Sequence, residues 1–144
     1  MKYVAFDSFK HLDYVRAVLT VPISNVTGGV VALDDLGVPV AVCLADGWTH
    51  NSCTVHHAIQ KPMALRGLFR EFANYVFHFG DKKMMIGIVE SNHKEALRLN
   101  KHIGFKEIYR IENCYADGVD QIIMQLMKED CRFLSKKYRL EEAA

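Results

Sequence analysis

Proline is scarce in this chain, at three residues in 144, tryptophan occurs once, and neither sign of charge dominates. Each scarcity excludes something. With no Pro/Ser-rich stretch, internal repeat or low-complexity segment there is no linker, so residues 1–144 read as one domain, long enough to bury a single core without disulfide or metal staples. The 18 Lys and Arg against 17 Asp and Glu leave a formal net charge of +1, without the basic excess of a polyanion binder, and nucleic acid is not an expected partner. The four cysteines, Cys43, Cys53, Cys114 and Cys131, lack any C-x-x-C spacing, which favours reduced and mostly buried thiols over a disulfide frame or a zinc site. No His/Cys/Asp cluster has metal-ligand spacing, and no metal is expected. The apolar runs are too short to cross a bilayer, and "MKYVAFDSFKHLDYV" brings in charge too early for a secretion signal, so the reading is a cytoplasmic protein with no membrane partner.

What is there is half apolar and about a quarter charged, arranged in short periodic runs. A strand is expected near residues 2 to 6, then a helix at about 8 to 20 with Ser8 as its N-cap and Leu12, Val15 and Leu19 on one face. Three β-like runs follow, "VVALDD" (30–35), "VPVAVCLADG" (38–47) and "SCTVHHAI" (52–59). Their connections, "DDLG" and "DGWTHN", are too short for parallel strands and predict an antiparallel meander. "MALRGLFREFANYVFHFG" (63–80) sets Leu65, Leu68, Phe72, Val76 and Phe79 on one helical face, with Gly80 as the stop. "KKMMIGIVE" (82–90), apolar on consecutive positions, reads as a strand covered on both faces and reached by a parallel crossover. Asn92 can cap a helix at about 93 to 103 that buries Ala96, Leu99 and Ile103 and ends at Gly104. Two strands, "FKEIYRIE" and "VDQIIMQLM", are joined by "NCYADG", and the tail from about 129 looks helical at first and frayed beyond about 136. These elements make an α/β (α+β) domain with a mixed sheet and a candidate site beside residues 59 to 68.

The element order, with "IQKPMALRGLF" and "NHKEALRLNKHIGF", resembles the GCN5-related N-acetyltransferase (GNAT) family over nearly the whole chain. The resemblance implies a mostly antiparallel central sheet of about six to seven strands flanked by helices on both faces. In that family the helix after the fifth strand carries an Asn near its start, an Ala in its second turn and a Gly-Phe exit, which here match Asn92, Ala96 and Gly104-Phe105. The loop after the fourth strand holds the pyrophosphate of acetyl-CoA on successive backbone N–H groups at a helix start. "QKPMALRG" departs from the usual glycine-rich pattern, with Gly67 alone. The resemblance places the cofactor along Ile59, Gln60, Lys61, Ala64, Leu65, Arg66, Gly67 and Leu68, with Asn92, Ala96 and Asn100 from the later helix. Lys61, Arg66 and Arg70 could supply charge to phosphates, or they are solvated charges on an exposed helix start.

Transfer from a thioester to an amine needs the thioester held, a neutral amine, stabilisation of the carbonyl oxygen and a proton for the leaving thiolate. The resemblance implies that the fourth-strand backbone, about His57 to Gln60, supplies the first and third. Many members donate the proton from a Tyr four residues before the exit Gly. That position is Asn100, whose amide can hydrogen-bond a sulfur but supplies no proton at neutral pH, leaving water, Tyr109 or Tyr115 as substitutes. For the base, His56 and His57 alternate to opposite faces, and His57 is the preferred candidate because it lies nearer the cofactor end. A purely structural imidazole is the competing reading. Glu90 is the second candidate base, through water, or else a solvated strand end. Trp48 and His50 sit in a loop that either contacts substrate or packs, and His78, His93 and His102 read as helix-surface residues.

Two functions follow from the resemblance. One is an acetyl-CoA-dependent N-acetyltransferase acting on a primary amine of a protein or small molecule, with acceptor specificity in the loops near 20 to 29, 46 to 51 and 113 to 118. The other is an acetyltransferase-like scaffold that binds CoA or a partner protein without turnover, similar to the compact proteins of this kind encoded by some phages that act on or bind host proteins. The strand "VDQIIMQLM" is the expected edge for pairing with a second copy, as a homodimer.

Overall fold

The computed structural model describes residues 1–134. Its elements are β1 (Lys2–Ala5), α1 (Leu12–Val18), β2 (Gly28–Leu33), β3 (Pro39–Asp46), β4 (Ser52–Ile59), a 3-10 turn (Pro62–Ala64), α2 (Leu65–Ala73) running into a π-helical turn (Asn74–Phe79), β5 (Met84–Glu90), α3 (Lys94–Ile103), β6 (Lys106–Ala116), β7 (Val119–Met127) and a 3-10 turn (Lys128–Asp130). One seven-stranded sheet has the order β1-β2-β3-β4-β5-β7-β6. Every neighbouring pair is antiparallel except β4 and β5.

The meander β2-β3-β4 forms as the turn chemistry predicts. Asp34 Oδ1 accepts the N–H groups of Leu36 and Val38, both at 2.9 Å, and Gly37 takes the positive φ of +79° that closes the hairpin. Alternation then divides the apolar residues between two faces. Val30, Ala32, Ala41, Cys43, Ala45, Cys53 and Val55 join the core with α2 and α3, whereas Val31, Val42 and Leu44 pack with Val15 of α1 on the other face.

Several expected boundaries move for physical reasons. The first helix begins at Leu12, not Ser8, because Asp7 Oδ1 accepts the N–H groups of Phe9 and Lys10 and holds that stretch in a turn. Asn92 does not cap α3: His93 occupies the cap position, and no side chain makes a capping bond there. The face Leu65-Leu68-Phe72-Val76 continues to Phe77, not to Phe79, which is 75% exposed. The cause is the π turn, in which Gly80 N–H bonds to Tyr75 O and the wider i→i+5 spacing rotates the following residues.

β5 is not covered on both faces. Met85 and Val89 are buried in the α2/α3 core, but Ile88 on the reverse face is 49% exposed, because the α1 layer reaches only β1 to β4. Nor is β7 an edge. It lies between β5 and β6, which leaves β6 as the edge strand at that end of the sheet, exposed along all its length, with the short β1 at the other end. The tail beyond residue 134 lies outside the described residues, and Lys128–Asp130 is a single 3-10 turn.

Candidate active site

β4 and β5 pair through only three residue pairs, Ser52 with Met84, Cys53 with Met85 and Thr54 with Ile86. Beyond them each strand keeps its other neighbour, β4 as far as Ile59 against Ala41 and β5 as far as Glu90 against Gln121. The sheet therefore opens into a wedge in its middle, and β4 turns an unpaired strand edge toward it. Ligands in open α/β sheets enter such crevices beyond the carboxyl ends of parallel strands.

His57 and Asn100 meet at this wedge. His57 Nε2 lies 2.5 Å from Asn100 Oδ1, and Asn100 Nδ2 is 3.6 Å from Met124 Sδ, so the amide orientation makes His57 Nε2 the donor. Asn100 is buried, at 3% exposure, behind Gly87, where a Cβ would come within 3.5 Å of Asn100 Nδ2. Burial pulls the His57 pKa below its usual value, only partly offset by the hydrogen bond to Asn100, and charge on His56 and His93 pulls the same way. His57 is thus a neutral imidazole with Nδ1 as its lone-pair nitrogen.

The loop after β4 leads into the start of α2. Ile59 is half-buried against the core, Gln60 N–H bonds to Val40 O at 3.1 Å, and Lys61 Nζ lies 4.0 Å from Asp34 Oδ2. No side chain caps either the 3-10 turn or α2, and Pro62 stands at the first helical position. Met63 points outward, 77% exposed, while Ala64 and Leu68 are fully buried, which leaves only their backbones for a ligand. At Gly67 a Cβ would lie 2.1 Å from the Tyr3 hydroxyl, so the glycine makes room for the Tyr3 ring. Pro62, Leu65, Arg66, His102, Arg132 and Phe133 line a cavity of about 440 Å³. Arg132 donates to the His102 carbonyl and lies 3.2 Å from His102 Nε2. No pattern in the sequence pointed to Arg132, because the turn after β7 is what brings it back to α3.

The remaining predicted residues are spread out. Glu90 ends β5 with Oε1 3.5 Å from His93 Nδ1. Asn92 sits in the turn before α3, and Ala96 packs half-buried on the core. Tyr109 and Tyr115 lie on β6, 64% and 57% exposed, separated from β5 by β7. Trp48 packs edge-on to Tyr75 at 5.9 Å and donates to Val26 O at 2.8 Å. His56, on the face opposite His57, has a partner that sequence reading missed: its Nε2 is 2.8 Å from Asp46 Oδ1. Residues ten apart meet because Asp46 pairs with Thr54, one strand position pair from His56. Among the described residues no group of three or more His, Cys, Asp or Glu could hold a metal, and no helix is long and apolar enough to cross a membrane.

No protein-family model matches the chain, and no curated protein sequence does. Solved structures do match. A spermidine N-acetyltransferase, SpeG, from Vibrio cholerae superposes with a TM-score of 0.72 at 13% identity over 95% of this chain and 99% of its own. The protein smu.2055 from Streptococcus mutans UA159 gives 0.72 at 18% identity, covering 90% of this chain and 100% of that one. A protein described as an acetyltransferase of the GNAT family, from Desulfovibrio desulfuricans, gives 0.61 at 18% over 71% and 69%. The sheet order, the single parallel seam and these superpositions agree: this chain has the fold of the GCN5-related N-acetyltransferases.

Proposed function

We propose that the protein is an N-acetyltransferase that takes its acetyl group from acetyl-CoA and passes it directly to a primary amine of a protein or small molecule. The observation that carries this reading is the parting of β4 from β5 after Thr54 and Ile86, beside a helix start that no side chain caps. The likeness to spermidine N-acetyltransferase supports the reaction class.

The residues present fit an anionic, extended donor. The helix start at residues 62–65, which no side chain caps, favours negative charge through its dipole, and Arg66 and Arg132 bring two guanidinium groups to the adjoining cavity. Acetyl-CoA supplies the activated thioester. The chain's part is to hold it: phosphates at Lys61 to Gly67, the pantetheine arm along His57 to Gln60, with Ile59, Leu65 and Leu68 setting the loop, and Asn92 and Ala96 bordering the wedge. Asn100 backs the sulfur end of the site and fixes the His57 ring, its amide held between His57 Nε2 and Met124 Sδ. His57, neutral, and Glu90 acting through water are the proton acceptors proposed from sequence; Tyr115 stands as a proton donor only if β6 approaches the acceptor. A homo-oligomer is part of this reading, supported by a SpeG structure that is dodecameric, and β6 is the edge at which a second copy would pair.

The His57–Asn100 bond across the wedge, with Asn100 where the resemblance expects Tyr, favours the second reading, a scaffold that binds CoA or a partner without turnover. Thermal melting with and without acetyl-CoA tests the first: a ligand of the native state raises the midpoint by mass action. Thiol release on adding amines, spermidine among them, then separates enzyme from binder. An unchanged midpoint at millimolar acetyl-CoA overturns both cofactor readings.

A further inference from the structure

The outward crest of α3 carries Lys94, Arg98 and Lys101, at i, i+4 and i+7, all three exposed. The opposite side of the same helix, with Ala96, Leu99, Asn100 and Ile103, is turned to the core. Among the described residues none of the three cations has an ion pair or a side-chain hydrogen bond. Glu90 is taken up by His93 at 3.5 Å, and Glu95 stands about 100° around the helix from Lys94.

This row works against the helix that carries it. Like charges three and four residues apart repel on a helix surface. Lys94 is also the first residue of α3, at the positive end of the helix dipole, where no side chain makes a capping bond. Nothing among the described residues offsets the repulsion, and local rules broken without compensation are expected where a surface serves function. The row is concave as well. Lys94, Leu97, Arg98 and Lys101 line a hollow of about 310 Å³, in which Leu97, half-buried against the core, is the apolar member. Its far end runs on to His102, which with Arg66 and Arg132 borders the larger cavity at the start of α2.

We propose that this face of α3 is a docking site for an acidic polypeptide segment of a partner protein, which presents carboxylates to the three cations and an apolar side chain to Leu97. The spacing fits. Steps of four and three residues set the cations about 6 Å and about 4.5 Å apart along the axis, and an acidic helix with Glu at the same intervals repeats those steps. A nucleic acid fits less well, because binding to a phosphate backbone rests on more cations than three and single strands need aromatic platforms. No aromatic side chain lines the hollow, and the formal net charge is only +1. The inference does not depend on turnover of acetyl-CoA and holds for enzyme and scaffold alike.

The test is fluorescence anisotropy of a labelled helical peptide with Glu at i, i+4 and i+7 and a Leu between them, titrated with the full chain. The same peptide with Gln for Glu and a labelled single-stranded DNA are run beside it. The expected result is saturable binding of the Glu peptide alone, weakened about tenfold or more in Lys94→Gln/Arg98→Gln/Lys101→Gln and weakened by raising salt from about 0.1 M to about 1 M. A second variant, Lys2→Gln/Lys10→Gln/Arg16→Gln, removes the same charge from exposed positions elsewhere and keeps the affinity. The α3 variant melts no lower than wild type, since repulsion is removed and no bond is lost, and its acetyl-CoA melting shift is unchanged. A Glu peptide that does not bind, an affinity that falls equally in both variants, or DNA bound as tightly as the peptide overturns the docking site. So does loss of the acetyl-CoA shift in the α3 variant, which would give the row to the donor's phosphates. Thiol release by the wild type is untouched by these outcomes, so the transferase reading stands or falls separately.

Discussion

Burial holds the His57 imidazole below its ordinary pKa, and that leaves a signature in stability. The unfolded chain takes up a proton at this residue near pH 6.5, whereas the native state resists it. Between the depressed native value and about 6.5 the unfolded state binds more protons, so stability rises with pH through that window and is level above it. Denaturant midpoints should fall as pH drops below about 6.5, less steeply in His57→Gln; His11, buried and shifted the same way, supplies part of the remaining slope. Asn92→Ala should change stability by less than about 0.5 kcal/mol, since no cap is lost, in contrast to the roughly 1 kcal/mol that a capping Asn contributes. Thermal or denaturant unfolding of the variant decides between these. At this scale the sequence was only half informative. Alternation separated His56 from His57 correctly, but the Asp46 partner depends on the β3–β4 register, and the Tyr3 ring against Gly67 depends on the packing of β1 under α2.

The elements whose signals are local were the legible ones. "DDLG" dictated its hairpin through Asp34 and Gly37, and α3 ends at Gly104, whose φ of +123° favours a residue without a Cβ. Gly104→Ala should therefore cost about 1 kcal/mol or more, with Leu126 Cδ1 3.3 Å from the added methyl, measurable as a lowered denaturant midpoint. Where one extra residue enters a turn, a 3.6-residue period misleads. The π turn at Asn74–Phe79 buries Phe77 and turns Phe79 out. Phe77→Ala should cost about 3–5 kcal/mol and Phe79→Ala less than about 0.5 kcal/mol, the reverse of what the uninterrupted helical face would predict.

For the whole molecule, the order of elements gave the crossover but not the sheet's edge. Insertion of β7 between β5 and β6 cannot be read from their sequence order, and it moves the open edge to β6, with Ile108, Tyr109, Ile111 and Tyr115 all exposed. Sedimentation equilibrium should give a mass above that of one chain, reduced to a single chain by Tyr109→Glu with Ile111→Lys; a wild type that runs as one chain at working concentration removes the oligomer. The three-pair seam between β4 and β5 also sets how this molecule would yield. Four strands lie on one side of it and three on the other, each group closed by antiparallel ladders longer than the seam. Pulled apart or warmed, the protein resembles two plates riveted at one end, and the rivet would fail before either plate. A ligand bound between β4 and β5 would be a second fastening and would add to the mechanical strength of the sheet.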